Sequence, residues 1–437
     1  MNNTSKLKAY RWLIWVVLVG IYLVVFFQRL SIGAIKGDLE STFGMSAAQI
    51  ANLGSMYFYA YAAMQIPTGM LVDKLGPRFT VVGGASLAGI ASILFSYSVN
   101  LPMAYASRLL IGVGVSVVFL SILKILDNWF PAKDFATMSG LTIFMGSMGG
   151  LLTQAPLVIV VGIIGWRSTF LAMGIITMTL AVLALIFAKD SPAQIGLPEV
   201  NPKHENFEKA TLGHDKILTQ LLHIIRNPRI WGPSFVIGGI YGGVIIFSGT
   251  FGIAYLGYTY GLDKIAASNI ISVYLLSSAF CNVGLGFVSD RLKIRKPPMV
   301  ILALINLAIW ILLLLFEPPI WYLYLFSVVE GACGAVGVIS FANAKEVSNP
   351  RYSGMATSIV NFTTFASAGI LPVICGVIID AEMAAGATPA DAYQKGFMVC
   401  IASGAVALIF SFFMKETRCE NVFYKNRTGG TKHENSH

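Results

Sequence analysis

The chain has 437 residues, 56% of them hydrophobic and only 12% charged, with a mean hydropathy of +0.73. Soluble domains keep roughly a quarter of their residues charged, so an ordinary water-soluble fold is excluded and most of this surface must face lipid or the chain itself. The formal charge of +9 does not point to nucleic acid, because the cations sit in short segments between apolar runs, where they act as an orientation signal.

In chain order, Met1–Arg11 is polar and basic and runs into a long apolar stretch without a small-residue cleavage site, as expected for an uncleaved first span. A span takes roughly 20 mostly apolar residues. On that measure twelve are expected: Trp12–Ile32, Ile50–Leu71, Thr80–Tyr97, Pro102–Leu126, Ala136–Val160 and Arg167–Ala188, then Trp231–Tyr258, Ala267–Val288, Met299–Phe316, Ile320–Ala342, Gly354–Ile379 and Gly396–Met414. Between the two sets, 189–230 is polar, carries Pro192, Pro198 and Pro202, and reads as a linker with one amphipathic helix near Ile217–Ile225 on the membrane surface. The expected organisation is therefore a first six-helix unit over 1–188, the linker over 189–230, a second unit over 231–415 and a tail over 416–437, with Tyr424–His437 disordered. Pro67, Pro156 and Pro372 mark expected kinks.

Lys6, Lys8, Arg11, Lys74, Arg78, Lys133, the linker cations, Arg291, Lys293, Arg295, Lys296, Lys345, Arg351 and the tail cations fall on one side. The other side holds only Lys36, Arg167, Lys264 and Lys395, beside acids such as Asp38, Glu40, Asp380, Glu382 and Asp391. Both termini and the linker are thus expected in the cytoplasm. Five cysteines, with no CxxC and no Cys/His cluster, indicate neither a disulfide framework nor a metal site.

One charged interruption recurs. Gly69, Asp73, Lys74 and Arg78 are matched by Gly286, Asp290, Arg291 and Arg295, each pair 217 positions apart. Four matches in one register argue for two related halves. Gly69 lets helices approach closely, Gly76 and Pro77 turn the chain, and Asp73 near a helix end suits backbone N–H groups or an arginine as partner. A latch that breaks on opening is one reading; a solvated turn with orienting charges is the other.

With Arg108-Leu109-Leu110-Ile111-Gly112-Val113-Gly114 at the head of the fourth span, these residues resemble the major facilitator superfamily, whose loop signature Gly69, Asp73, Lys74, Gly76 and Arg78 match. The resemblance implies an all-α membrane protein with twelve transmembrane helices in two pseudo-symmetric six-helix bundles, rocking around a midplane site. Phe27-Gln28-Arg29-Leu30-Ser31 resembles the aspartate–arginine segment of organic-anion symporters, with Gln28 in place of their acid. Lys124, before Trp129-Phe130-Pro131, falls where those proteins carry an arginine. A weaker resemblance is to amino-acid and nucleoside importers of bacteria.

Ionisable groups inside spans are costly unless they face a partner or a wet cavity. For Arg29 and Lys124 the choice is between substrate contact and snorkelling to a surface. Arg108 suits a structural or coupling role. Glu330, the only carboxylate at its depth, suits either a proton carrier or a helix-to-helix hydrogen bond. Polar candidates beside them are Tyr57, Tyr61, Gln65, Gln154, Tyr255, Tyr274, Asn282 and Asn343, with Tyr241 and Asn361 favoured because they lie among small residues. The expected substrate-binding set is Arg29, Lys124, Tyr241, Asn361 and Gln28, and the coupling set Glu330 and Arg108.

The expected function is secondary active transport of a small carboxylate-bearing acid or amino acid, coupled to protons, in a monomer of the bacterial inner membrane. Export of a drug-like or metabolic solute and a non-transporting membrane sensor are the alternatives. No Walker-type loop, nucleophile constellation, metal cluster or cofactor motif points to an enzyme or an ATP-driven pump.

Overall fold

The computed structural model describes residues 3–200, 217–316 and 318–423. The distal linker over 201–216 and the tail over 424–437, including the disorder expected there, lie outside the described residues. All regular structure among the described residues is helical.

The first half comprises α1 (Asn3–Leu30), a short α2 (Lys36–Phe43), α3 (Ala47–Ala63), α4 (Gln65–Leu75), α5 (Pro77–Ser96), α6 (Leu101–Ser116), α7 (Val118–Trp129), α8 (Ala132–Leu151) and α9 (Ala155–Phe187). After the linker helix α10 (Ile217–Ile225) come α11 (Trp231–Val244), a π-turn over Ile245–Phe251, α12 (Gly252–Tyr260), α13 (Lys264–Leu292), α14 (Lys296–Phe316), α15 (Ile320–Gly334), α16 (Val336–Glu346), α17 (Ser353–Ala384) and α18 (Pro389–Phe413). The linker helix thus lies where the amphipathic pattern puts it.

Ten helical stretches among the described residues are long and apolar enough to cross a membrane. The two expected spans outside that set, Ile50–Leu71 and Ala136–Val160, are helices broken by proline. Pro67 lacks an N–H and its ring crowds the carbonyl one turn earlier, and the chain breaks there at Met64 between α3 and α4. Pro156 likewise follows the interruption over Leu152–Gln154 that separates α8 from α9. Within α9 the chain also turns a corner at Gly165, at φ +77°, in the interval between the expected spans Ala136–Val160 and Arg167–Ala188.

Pro372 stays inside α17. The carbonyl of Gly369, three residues before it, accepts hydrogen bonds from Ser55 Oγ (2.5 Å) and the Tyr59 hydroxyl (3.3 Å) on α3. Polar side chains of a neighbouring helix thus serve the backbone that a proline loosens.

Packing is heaviest between α5 and α9, α5 and α6, and α3 and α6 in the first half, and between α11 and both α17 and α18 in the second. Across the halves, α3 lies along α17, and α13 along α8 and α9. Glycines permit the closest crossings. A Cβ on Gly112 would stand 2.5 Å from the Tyr57 carbonyl oxygen, so α6 meets α3 backbone to backbone.

Candidate functional site

A cavity of about 540 Å³ lies between the halves, lined from α1, α8, α11, α13, α16 and α17. It runs from Arg29 and Ser248 towards Gly140 near the start of α8, Phe341 near the end of α16 and Gly286 of the second motif copy near the end of α13. That side is termed the motif face and the opposite side the far face. On the far face the halves touch. The Gly33 N–H donates to the Gly249 carbonyl (3.0 Å), Gln154 Nε2 donates to the Ser248 carbonyl (3.4 Å), and the Lys36 ammonium sits 5.5 Å over the Tyr393 ring.

The lining is mostly apolar, with a few polar groups, among them Tyr241, Tyr274, Asn282 and Asn361. Among the described residues Arg29 is the one cation that lines the cavity, and no carboxylate does. Its guanidinium lies 4.5 Å from the Phe26 ring, 5.2 Å from Phe365 and 5.4 Å from Tyr61. Arg29 Nε has no hydrogen-bond partner among the described residues. Aromatic faces hold a guanidinium without consuming its donors. The arrangement leaves a directional cation for a planar anion.

Asn361 closes the cavity wall by donating to Gln65 Oε1 (2.7 Å), a bridge from α17 to α4. Tyr241 faces the same space, its ring 6.3 Å from Phe365. Arg29, Tyr241 and Asn361 are therefore brought together.

Gln28 is not with them. Consecutive helical residues project about 100° apart, and Gln28 turns into the first half, buried and away from the cavity. Arg108 Nη2 donates to the Gln28 carbonyl (3.0 Å), and Gln28 Nε2 donates to Ser92 Oγ (3.0 Å), which donates to the Phe170 carbonyl (3.1 Å). Arg108, wholly buried, thus ties α6 to α1 through a neutral partner.

Glu330 is also outside the lining. It is fully buried on α15, where Asn306 Nδ2 on α14 donates to its Oε2 (2.7 Å). Lys124 lies near the motif face, in a separate small cavity with Asp73, Asp127 and Gly69. The sequence shows each charge but not which side of its helix meets the cavity.

The motif copies differ in their partners. Asp73 and Lys74 are exposed, and the carboxylate of Asp190 accepts the Arg78 N–H (2.8 Å) while the Arg78 guanidinium donates to the Leu185 carbonyl (2.6 Å). In the second copy Arg295 donates to Asp290 and Ser289 (2.8 Å each) and to Glu346 (2.8 Å from Nη2). Glu416 accepts from the backbone N–H groups of Arg295 (3.1 Å) and Lys296 (2.9 Å), capping α14 as Asp190 caps α5. Burial lowers the Arg295 guanidinium's affinity for its proton, but hydrogen bonds to Glu346 and Asp290 outweigh it and hold its pKa above the ordinary value. For Glu416 burial raises the pKa, and the backbone donors of Arg418, Lys296, Arg295 and Thr417 override it, leaving the carboxyl below its ordinary value. The sequence reading misses Asp190, Glu346 and Glu416. A signal for two of them exists: Lys189-Asp190 and Lys415-Glu416 each follow the end of a half's last span.

The family model of the Major Facilitator Superfamily matches residues 18–259 and 241–431. A probable sulfoacetate transporter of Cupriavidus necator is 24% identical over 90% of this chain and 91% of its own. A probable L-galactonate transporter of Escherichia coli is 21% identical over 94% of this chain and 91% of its own. The crystal structure of a bacterial homologue of the human lysosomal transporter Spinster, inward-facing and unoccupied, covers 96% of this chain and 98% of its own at a TM-score of 0.76 and 17% identity. With the family model matched along nearly the whole length and the fold shared, the chain belongs to the major facilitator superfamily and is a multi-pass membrane transporter.

Proposed function

We propose that the protein is a proton-coupled carrier of a small organic anion bearing a carboxylate, organised as two six-helix bundles joined by the 189–230 linker, with the motif face in the cytoplasm. The observation that carries this reading is Arg29: one aromatic-walled guanidinium with an unused donor, in a cavity whose described lining holds no carboxylate. A carboxylate entering there gains a charge-assisted contact away from bulk water. The cargo named for the two relatives, sulfoacetate and L-galactonate, is carboxylate-bearing in both cases. Far-face contacts opposite an accessible motif face favour alternating access, with Tyr241 and Asn361 orienting the substrate. Gln28 and Lys124 then act at a remove, Gln28 through Arg108 and Lys124 at the motif face. Glu330 is the proposed proton carrier.

The test is flux of labelled L-galactonate and sulfoacetate into liposomes, alone and with an imposed proton gradient, using wild type and Arg29→Ala. Saturable uptake that falls at least tenfold in the variant supports the reading. Uptake that is equal in both removes Arg29 from the site, and binding without flux points to a sensor.

A further inference from the structure

Asp380, near the end of α17, has no place in the site above, yet it makes the most specific contact between the halves on the far face. Its Oδ1 accepts the Ala47 N–H at 2.8 Å and its Oδ2 accepts the Ala48 N–H at 2.9 Å. These are the first two residues of α3, more than 300 positions away. A helix start leaves N–H groups without intrahelical acceptors. Here the sequence serves only some of them locally. Ser46 and Gln49 form a capping box, with Ser46 Oγ accepting the Gln49 N–H and Gln49 Oε1 accepting the Ser46 N–H. The two donors left over are those that Asp380 takes. One turn before Asp380, a Cβ on Gly376 would stand 2.8 Å from the Ala47 oxygen and the Ala48 nitrogen, so the two backbones meet directly under the carboxylate.

We infer that Asp380 is a far-face latch: a carboxylate of the second half that clamps the start of α3 in the first, and that must release whenever the far face opens. Anion and helix N-terminus attract without any basic side chain, which is why no charge pairing in the sequence reveals the contact. The other end of the same broken helix shows the reverse condition. There Asp73 is exposed while the cavity reaches the motif face. On opening, the two N–H groups would pass to water in a wet vestibule, so release leaves no backbone donor stranded in an apolar setting. The inference rests on the alternating-access reading above.

The experiment measures two distances by pulsed electron spin resonance in the full chain, with native cysteines replaced by serine. One spin-label pair, at Val99 and Ala385, reports the far face; the other, at Leu75 and Leu292, reports the motif face, and all four positions are exposed. Asp380→Asn removes the charge at constant size and is expected to raise the far-open to far-closed ratio by about tenfold, with a matching shortening at the motif face. Ala47→Pro leaves Asp380 in place and deletes one of the two donors at a position where proline suits a helix start, after a residue already extended at ψ 166°. It should shift both distances in the same direction by less, and add little to Asp380→Asn. Unchanged distances in both variants, in a protein whose wild type already populates two far-face distances, overturn the latch alone. Far-face lengthening with no reciprocal change at the motif face overturns alternating access, and the latch with it.

Discussion

Replacing the last arginine of each motif copy should have unequal consequences although the two loops match in sequence. Arg295→Ala removes the Nη1 bonds to Ser289 and Asp290 and the Nε and Nη2 bonds to Glu346, whose side chain is only 13% exposed. Glu346 then keeps the hydroxyl of Thr417 as a partner but loses its countercharge. Taking one member from a buried pair costs about 3 kcal/mol. Arg78→Ala loses one donated bond from a more accessible side chain to the Leu185 carbonyl, and Asp190 keeps its backbone N–H because that donor belongs to the main chain. That loss is about 1 kcal/mol. Reversible unfolding in mixed micelles by SDS titration, followed by tryptophan fluorescence, measures both. Equal costs, or a larger cost for Arg78, would refute the assignment of the second copy as the structural one.

The other expectations concern protons. Glu330→Gln should abolish uptake driven by a proton gradient while sparing exchange of labelled for unlabelled L-galactonate; unimpaired gradient-driven uptake removes Glu330 from coupling. Glu416 has a folded-state pKa below its unfolded value, so its contribution is fully present above the unfolded value and fades as pH falls through the folded one. Thermal melting of Glu416→Gln should therefore lose part of the acid-side drop in stability that wild type shows below about pH 4, and superimposable acid limbs would contradict it.

Much of this was legible in the residues because lipid imposes strict rules. Span length, the segregation of cations and the repeated loop each follow from the cost of unmet polar groups in a bilayer. Arg29, Tyr241 and Asn361 were readable as site candidates for the same reason: polar groups at depth among small or apolar neighbours. What the sequence does not reveal is direction around the helix axis. Gln28 and Arg29 are neighbours in the chain and face different parts of the molecule. Glu330 has the depth expected of a cavity residue but turns to Asn306 instead. Contacts whose partner is backbone are harder to read, since Asp190 and Glu416 accept main-chain N–H groups and only their shared place after a half's last span marks them in the sequence.

The π-turn over Ile245–Phe251 divides one span into two that face different neighbours. An unbroken α-helix would bring Tyr255, fourteen residues after Tyr241, back to nearly the same face. The wider turn holds about one extra residue and rotates the rest of the span by roughly 100°. Tyr241 accordingly looks into the cavity, while Tyr255 stacks on Phe397 with ring centroids 4.6 Å apart. At the seam itself Ser248 and Gly249 offer carbonyls sideways to Gln154 and Gly33. A single inserted position thus separates the part of the span that lines the cavity from the part that packs at the far face, so a substitution on one side of the turn leaves the facing of the other side unchanged.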